Sequence, residues 1–195
     1  NTLTLRERGI PIHIGHSAAN VTDDIEFVIR TAAVHDDNPE VHEAHRRGIP
    51  VFERTQAWGA LMRGYPNALC ISGTHGKTTT TSMCTHIMMA AEKDPTVMIG
   101  GTLPLLHACH RVGKGNTIIM ESCEYYNSFL SLNPTIAVIL NIEADHLDFF
   151  KDIEDIKHSF RQFAERVPAE TGTVIANCDD VNTMDALRGI ERKVI

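Results

Sequence analysis

One stretch combines the residue types needed to hold a polyphosphate. Cys70-Ile71-Ser72-Gly73-Thr74-His75-Gly76-Lys77-Thr78-Thr79-Thr80-Thr81 runs from a short apolar segment through two glycines into a lysine and a row of hydroxyls. Glycines leave backbone N–H groups free to surround phosphate oxygens, the start of a following helix adds its positive end, and Lys77 brings a point charge. Thr78 offers its hydroxyl to Mg²⁺. The general phosphate-loop pattern carries a glycine where this chain has Ile71, so the loop is a shortened form, Gly-Thr-His-Gly-Lys-Thr. An ordinary strand-to-helix turn needs only one glycine. Successive threonines at a helix start are poor helix formers and would be a local cost without a ligand. The candidate nucleotide contacts are Gly73, Thr74, His75, Gly76, Lys77, Thr78 and Thr79, with Asn141 from a later strand end.

Two other polar clusters follow apolar runs. Thr117-Ile-Ile-Met120 ends in Glu121, and Thr135-Ile-Ala-Val-Ile-Leu140, the pattern of a strand buried on both faces, ends in Asn141, Glu143, Asp145 and His146. Ligands of open parallel sheets sit beyond the carboxyl ends of the strands, which brings such ends together. A carboxylate and an imidazole beside a triphosphate suit a divalent cation, although imidazole is a less usual ligand for Mg²⁺. Taken singly, Glu121 reads equally well as a surface residue and His146 as a capping or packed histidine. Asp145 could also be a turn or cap residue, and Asp148 is read that way. The combination with an upstream phosphate loop favours a site.

These groups need a scaffold, and the chain supplies alternating strand and helix signals. A short helix over 1–9 precedes strands at Ile10–Ile14 and Ile25–Arg30. Asn38-Pro39 starts a helix that stops at Arg47-Gly48, a strand follows over Ile49–Phe52, and Thr55 caps a helix to about Arg63. Gly64–Asn67 reads as a linker. Beyond it come a strand over Ala68–Ser72, a helix over about Thr78–Ala91 broken at Asp94-Pro95, and a strand over Thr96–Ile99. An irregular stretch rich in His and Gly leads to the Thr117 and Thr135 strands. Asp152 caps a helix with an apolar stripe at Ile153, Ile156, Phe160, Phe163 and Val167. A strand at Thr173–Ala176, a helix over Asp180–Leu187 and a short strand from Lys193 finish the chain. The expected fold is α/β with two parallel-sheet domains, 1–66 and 67–195.

Composition narrows the function. The 195 residues are 43% hydrophobic and 22% charged, enough for one substantial core or two small ones. Lys plus Arg is 18 against 25 Asp plus Glu, a net charge of −7, which argues against a general nucleic-acid or membrane-surface binder. No apolar run reaches membrane-span length and no basic leader opens the chain, so a soluble cytoplasmic protein is expected. The five cysteines form no C-x-x-C pair, which speaks against a disulfide scaffold or zinc ribbon. Eleven histidines include no convincing H-x-x-x-H helix pair.

Three motifs in order, Gly-Thr-His-Gly-Lys-Thr-Thr-Thr-Thr (73–81), Glu-Ser-Cys-Glu-Tyr-Tyr-Asn-Ser-Phe (121–129) and Asn-Ile-Glu-Ala-Asp-His-Leu-Asp (141–148), resemble the Mur ligases of peptidoglycan synthesis, nearest the alanine-adding branch. Gly15-His16-Ser-Ala-Ala-Asn20-Val and Asp37-Asn38-Pro39-Glu40 resemble the later part of that family's UDP-binding domain. The resemblance implies a partial Rossmann-like UDP-binding domain (1–66) and a partial P-loop ATPase-type central domain (67–195), each a three-layer α/β unit. It implies ATP and Mg²⁺ as cofactors, with UDP-N-acetylmuramate and L-alanine as substrates. Lys77 would contact the ATP phosphates, Thr78 would bind Mg²⁺, and Glu121 with His146 would hold a second Mg²⁺, making Lys77 and His146 the catalytic candidates. ATP would phosphorylate the substrate carboxylate and the amine would displace phosphate.

The chain also departs from the family pattern. Arg161 stands where some relatives have a carbamylated lysine, in keeping with the alanine-adding branch, and Thr31-Ala32 replace two serines expected near the uridine nucleotide. By this resemblance the glycine-rich opening of the UDP-binding domain and the amino-acid-binding domain are expected to lie outside these 195 residues. The 195 residues alone are therefore expected not to ligate. Other readings are a ligase recycling murein tripeptide onto UDP-N-acetylmuramate, a P-loop small-molecule kinase and a non-catalytic nucleotide-binding module. A kinase would show the full glycine spacing, which fails at Ile71, and an aspartate ending a buried strand.

Overall fold

The computed structural model describes residues 2–31 and 33–195, so the expectations for Asn1 and Ala32 lie outside the described residues. The chain forms two compact units, Asn1–Ala57 and Trp58–Ile195.

In the first unit, helix α1 (Thr2–Glu7) precedes a two-stranded parallel sheet of β1 (Val28–Arg30) and β2 (Val51–Glu53), joined through α2 (Pro39–Arg46). The Asn38 side chain accepts from Glu40 N at 2.9 Å and Pro39 occupies the first turn, as their sequence predicts. Gly48, at φ +70°, releases the chain towards β2. Glu43 on α2 accepts from Arg46 Nε at 2.6 Å and Arg47 Nε at 2.5 Å. Those two hydrogen bonds, Arg46 first, pull its carboxyl down to about 2.

Two local expectations are corrected here. Ile10–Ile14 forms no strand: Ile10 and Ile14 are exposed, and no described strand pairs with them. The helix after β2 is not capped by Thr55. That helix, α3 (Arg54–Met62), begins one residue earlier, and Gln56 Oε1 instead accepts from Glu53 N at 2.8 Å.

The second unit is a seven-stranded sheet. Its strands are β3 (Asn67–Ser72), β4 (Thr96–Leu103), β5 (Ala108–Arg111), β6 (Thr117–Glu121), β7 (Ile136–Ile139), β8 (Thr173–Ala176) and β9 (Lys193–Val194). Their order is β5-β4-β6-β3-β7-β8-β9, parallel except for β5, which runs antiparallel to β4. The His- and Gly-rich stretch that reads as irregular thus contains an added edge strand. β4 also continues through Gly100 and Gly101 instead of ending before them.

Alternate residues of each central strand point to opposite faces, the period-2 rule of a pleated sheet. Leu69, Ile71 and Ile119 pack with Cys84 and Met88 of α4 (Lys77–Ala90). Ala68, Cys70, Ile118, Met120, Ala137 and Ile139 pack with Ile156, Phe160, Phe163 and Ala164 of α5 (Ile153–Glu165). The result is a helix–sheet–helix sandwich. On the α5 side Phe129 stacks on Phe163 with centroids 4.6 Å apart and meets Phe160 edge-on at 5.3 Å. Asp152 caps α5 by accepting from Asp155 N, and Asp180 caps α6 (Val181–Ala186) by accepting from Thr183 N. All five cysteines are free, and burial pushes the Cys70 thiol up to about 12. No helix among the described residues is long and apolar enough to cross a membrane.

Candidate active site

β3 lies centrally between β6 and β7, so the three strand ends with unusual polar residues are neighbours. The β3–α4 loop is drawn tightly onto the end of β7. Thr74 N donates to Asn141 O at 3.0 Å, and Glu143 N donates to Thr74 Oγ1 at 2.8 Å. Asn141 spends its amide on the loop: Oδ1 accepts from His75 N at 2.8 Å and Nδ2 donates to His75 O at 3.1 Å. The far side of this strand end is fixed by α6, where Asp180 Oδ1 accepts from Ile142 N at 3.1 Å and Asn182 Nδ2 donates to Ile142 O at 2.8 Å.

Glycine is required at Gly73, and at Gly100 the missing side chain leaves room for the mobile Glu121 carboxylate. Gly73 sits at φ +139°, and a Cβ there would lie 2.9 Å from Leu140 Cβ. A Cβ on Gly100 would lie 2.5 Å from Glu121 Oε1. Gly76, at φ +83°, precedes α4 and offers no side-chain cap to the first-turn N–H groups. Two threonine hydroxyls of α4, at Thr81 in the run and at Thr85 beyond it, bond back to carbonyls one turn earlier. Thr81 Oγ1 donates to Lys77 O at 2.8 Å, and Thr85 Oγ1 donates to Thr81 O at 2.8 Å.

The Lys77 ammonium is folded against its own loop and donates to Gly73 O at 2.6 Å and Thr74 O at 3.2 Å. It also pairs with Glu124 Oε2 at 3.0 Å, where only 3% of the Glu124 side chain is exposed. Glu124 is one of three residues, with Asp145 and His146, whose ligand atoms lie within 4.8 Å of one another. His146 Nε2 is 4.0 Å from Glu124 Oε1 and 3.9 Å from Asp145 Oδ2. Two carboxylates and one imidazole converging on a single point, one carboxylate almost wholly desolvated, fit a divalent cation.

Glu121 and His146, expected to share a metal, have different neighbours. Glu121 Oε1 accepts from Thr78 Oγ1 at 2.9 Å and Oε2 accepts from Gly100 N at 2.6 Å, which ties it to the other metal candidate, Thr78. The carboxylates beside His146 are its neighbour Asp145 and Glu124, three residues beyond Glu121. Reading the residues singled out Glu121 because it ends the strand. What sets Glu124 apart is its burial against Lys77, which the string Glu-Ser-Cys-Glu does not reveal. His75 and Thr79 are exposed, and the His75 ring reaches towards Glu143, with Nε2 3.8 Å from Oε2.

Around His146 the aromatic residues of the second motif close in. Tyr125 stacks on the His146 ring with centroids 4.3 Å apart and planes 18° from parallel. Its hydroxyl donates to Asp148 Oδ2, and that bond, with a second to Tyr126, pushes the Tyr125 pKa upward.

The Mur ligase middle domain matches residues 71–195, and the Mur ligase family catalytic domain matches residues 1–66. The UDP-N-acetylmuramate–L-alanine ligase of Lachnospira eligens is 51% identical over 171 residues, 88% of this chain and 37% of its own length. Its counterpart in Caldicellulosiruptor saccharolyticus is 47% identical over 194 residues, 100% of this chain and 42% of its own length. The chain therefore spans about two fifths of these curated relatives. The solved UDP-N-acetylmuramate-alanine ligase of Thermotoga maritima superposes with a TM-score of 0.81 at 31% identity, over 95% of this chain and 42% of that one. A solved UDP-N-acetylmuramate:L-alanyl-gamma-D-glutamyl-meso-diaminopimelate ligase from Neisseria meningitides gives a TM-score of 0.86 over 98% of this chain and 64% of that one. At 24% identity it shares the fold.

Proposed function

The chain belongs to the Mur ligase family, and from that premise we propose that the protein carrying it joins L-alanine to UDP-N-acetylmuramate, with ATP, in peptidoglycan precursor synthesis. The observation that carries this reading is the shared Glu124 carboxylate, which touches the Lys77 ammonium on one side and the His146–Asp145 cluster on the other. A phosphate loop and a candidate cation site are thereby joined at one buried group. Residues 67–195 would hold ATP and residues 1–66 would contribute to the UDP-sugar site, in the cytoplasm, where ATP is available.

In this reading the N–H groups of Gly76 and of the first turn of α4 bind the ATP phosphates, with Lys77 as the mobile charge. Lys77 must leave Glu124 and the Gly73 and Thr74 carbonyls to do so. Asn141 keeps the loop at the β7 end, and Thr78 with Glu121 supplies further oxygen ligands. Glu124, Asp145 and His146 would hold Mg²⁺, which offsets negative charge as a phosphoryl group nears an anionic carboxylate. The reaction runs in two steps. A carboxylate oxygen of UDP-N-acetylmuramate attacks the γ-phosphorus of ATP and ADP departs. The alanine amine then attacks the acyl carbon, loses a proton and expels phosphate. Donors held by the protein lower the barrier by being arranged before charge develops.

The test is phosphate release by the full-length protein with UDP-N-acetylmuramate and ATP, comparing L-alanine with murein tripeptide as acceptor. L-alanine should support turnover. Turnover with the tripeptide alone would assign the protein to recycling, and turnover with neither would end the ligase reading.

A further inference from the structure

His146 has an unusual setting for a residue that must present one nitrogen to a fixed point. Its backbone is left-handed, at φ +52°, in a segment without regular structure. Among the described residues its ring makes no hydrogen bond, since the nearest carboxylate oxygens lie at 3.9 and 4.0 Å. Metal-binding imidazoles are ordinarily fixed in orientation by a partner on the other ring nitrogen. Here an aromatic face does the holding.

Tyr125 covers the ring nearly parallel to it at 4.3 Å. Both ends of the tyrosine are anchored. Its hydroxyl donates to Asp148, two residues beyond His146, so the clamp closes on the segment that carries the histidine. Its backbone leads into Tyr126 and Asn127, at φ +54° and +55°. Two successive non-glycine residues in that region are costly and persist only where the surroundings hold them. Asn127 N donates to Glu124 O at 2.8 Å, and Asn127 Oδ1 accepts from Ser159 on α5. The turn that strains the backbone therefore also fixes Glu124 relative to Tyr125.

We propose that Tyr125, braced by Asp148, is a positioning residue that holds the His146 imidazole towards Glu124 and Asp145 and so preorganises the cation site. The inference rests on the metal reading given above. It gives Asp148 a function in place of the turn role that its sequence suggests, and it explains a tyrosine directly after the buried glutamate.

The test measures Mn²⁺ affinity of the full-length protein without nucleotide, by electron paramagnetic resonance of free Mn²⁺, in wild type, Tyr125→Leu, Tyr125→Phe, Asp148→Asn and His146→Ala. Loss of an orienting partner typically weakens metal binding about 10- to 100-fold, so Tyr125→Leu should fall in that range. Tyr125→Phe, which keeps the ring and loses the brace, should lie between it and wild type, as should Asp148→Asn. In a His146→Ala background Tyr125→Leu should have no further effect, because its action runs through the imidazole. If His146→Ala weakens Mn²⁺ binding while both Tyr125 variants match wild type, the positioning role is wrong and the metal site stands. Additive losses in the double variant would likewise overturn it. If His146→Ala leaves affinity unchanged, the metal reading fails and this proposal fails with it.

Discussion

Lys77 Nζ lies 3.0 Å from Glu124 Oε2 and 3.3 Å from Oε1, and that second oxygen is the one 4.0 Å from His146 Nε2. One carboxylate thus lies between the Lys77 ammonium and the candidate cation cluster. In the proposed function a cation bound at the cluster would compete with the ammonium for the same oxygens and so free Lys77 for phosphate. Binding of metal and nucleotide should then be coupled in both directions.

The Lys77→Ala variant separates these roles by sign. Without nucleotide it should bind Mn²⁺ more tightly than wild type, because the competing ammonium is gone, while Mg·ATP binding is abolished. Leaving Glu124 buried without its partner should cost on the order of 3 kcal/mol of stability in metal-free buffer. Calorimetric titration and thermal melts with and without Mn²⁺ read all three effects. Unchanged Mg·ATP affinity would reduce the loop to a structural turn.

Gly73→Ala tests the loop's geometry. The added methyl meets Leu140 Cβ at 2.9 Å in a backbone conformation, φ +139°, that L-residues avoid. A loss of about 1–3 kcal/mol in urea unfolding is expected, together with weakened nucleotide binding. A variant as stable as wild type would show that the loop tolerates another path.

Glu43 should give the first unit a defined acid response. Its carboxyl falls from the ordinary 4.5 to about 2 through Arg46 and Arg47, so the unfolded chain takes up the proton more readily than the folded one. The stabilisation is then complete above about 4.5 and disappears as pH falls towards 2. Unfolding of wild type and Glu43→Gln followed from pH 6 downward should show a gap that closes across that window. A gap independent of pH would contradict the ion-pair assignment.

The α5 face of the sheet depends on Phe163, which is fully buried and stacked 4.6 Å from Phe129. Phe163→Ala should lower unfolding free energy by about 3–5 kcal/mol in denaturant titration. Ile175→Ala, at a position 40% exposed, should cost far less. Equal losses at the two positions would mean that this aromatic cluster is not the core of the second unit.

Much of this molecule can be read from residue order because local chemistry agrees with tertiary packing. Asn38-Pro39 and Asp152 cap helices where their side chains predict, and the apolar runs at 68–72, 117–120 and 135–140 become central parallel strands. The misses have physical causes. Ile10–Ile14 has a strand's composition but pairs with no strand among the described residues, and strand formation depends on its partner more than on propensity. β5 escapes notice because an antiparallel edge strand four residues long leaves little pattern. In the candidate site, the proposed phosphate loop stands out in the sequence through glycine and lysine spacing, and His146 through its position after a buried strand. Glu124 and Tyr125 do not, because their significance lies in burial against Lys77 and in stacking on His146, contacts between distant segments.

The most direct measurement follows the carboxylate oxygen. The full-length protein would be supplied with ATP, L-alanine and UDP-N-acetylmuramate labelled with ¹⁸O in its lactyl carboxylate, and the released phosphate analysed by mass. Carboxylate activation at this site predicts one ¹⁸O atom transferred to each phosphate formed. Phosphate released without label during amide formation would contradict it.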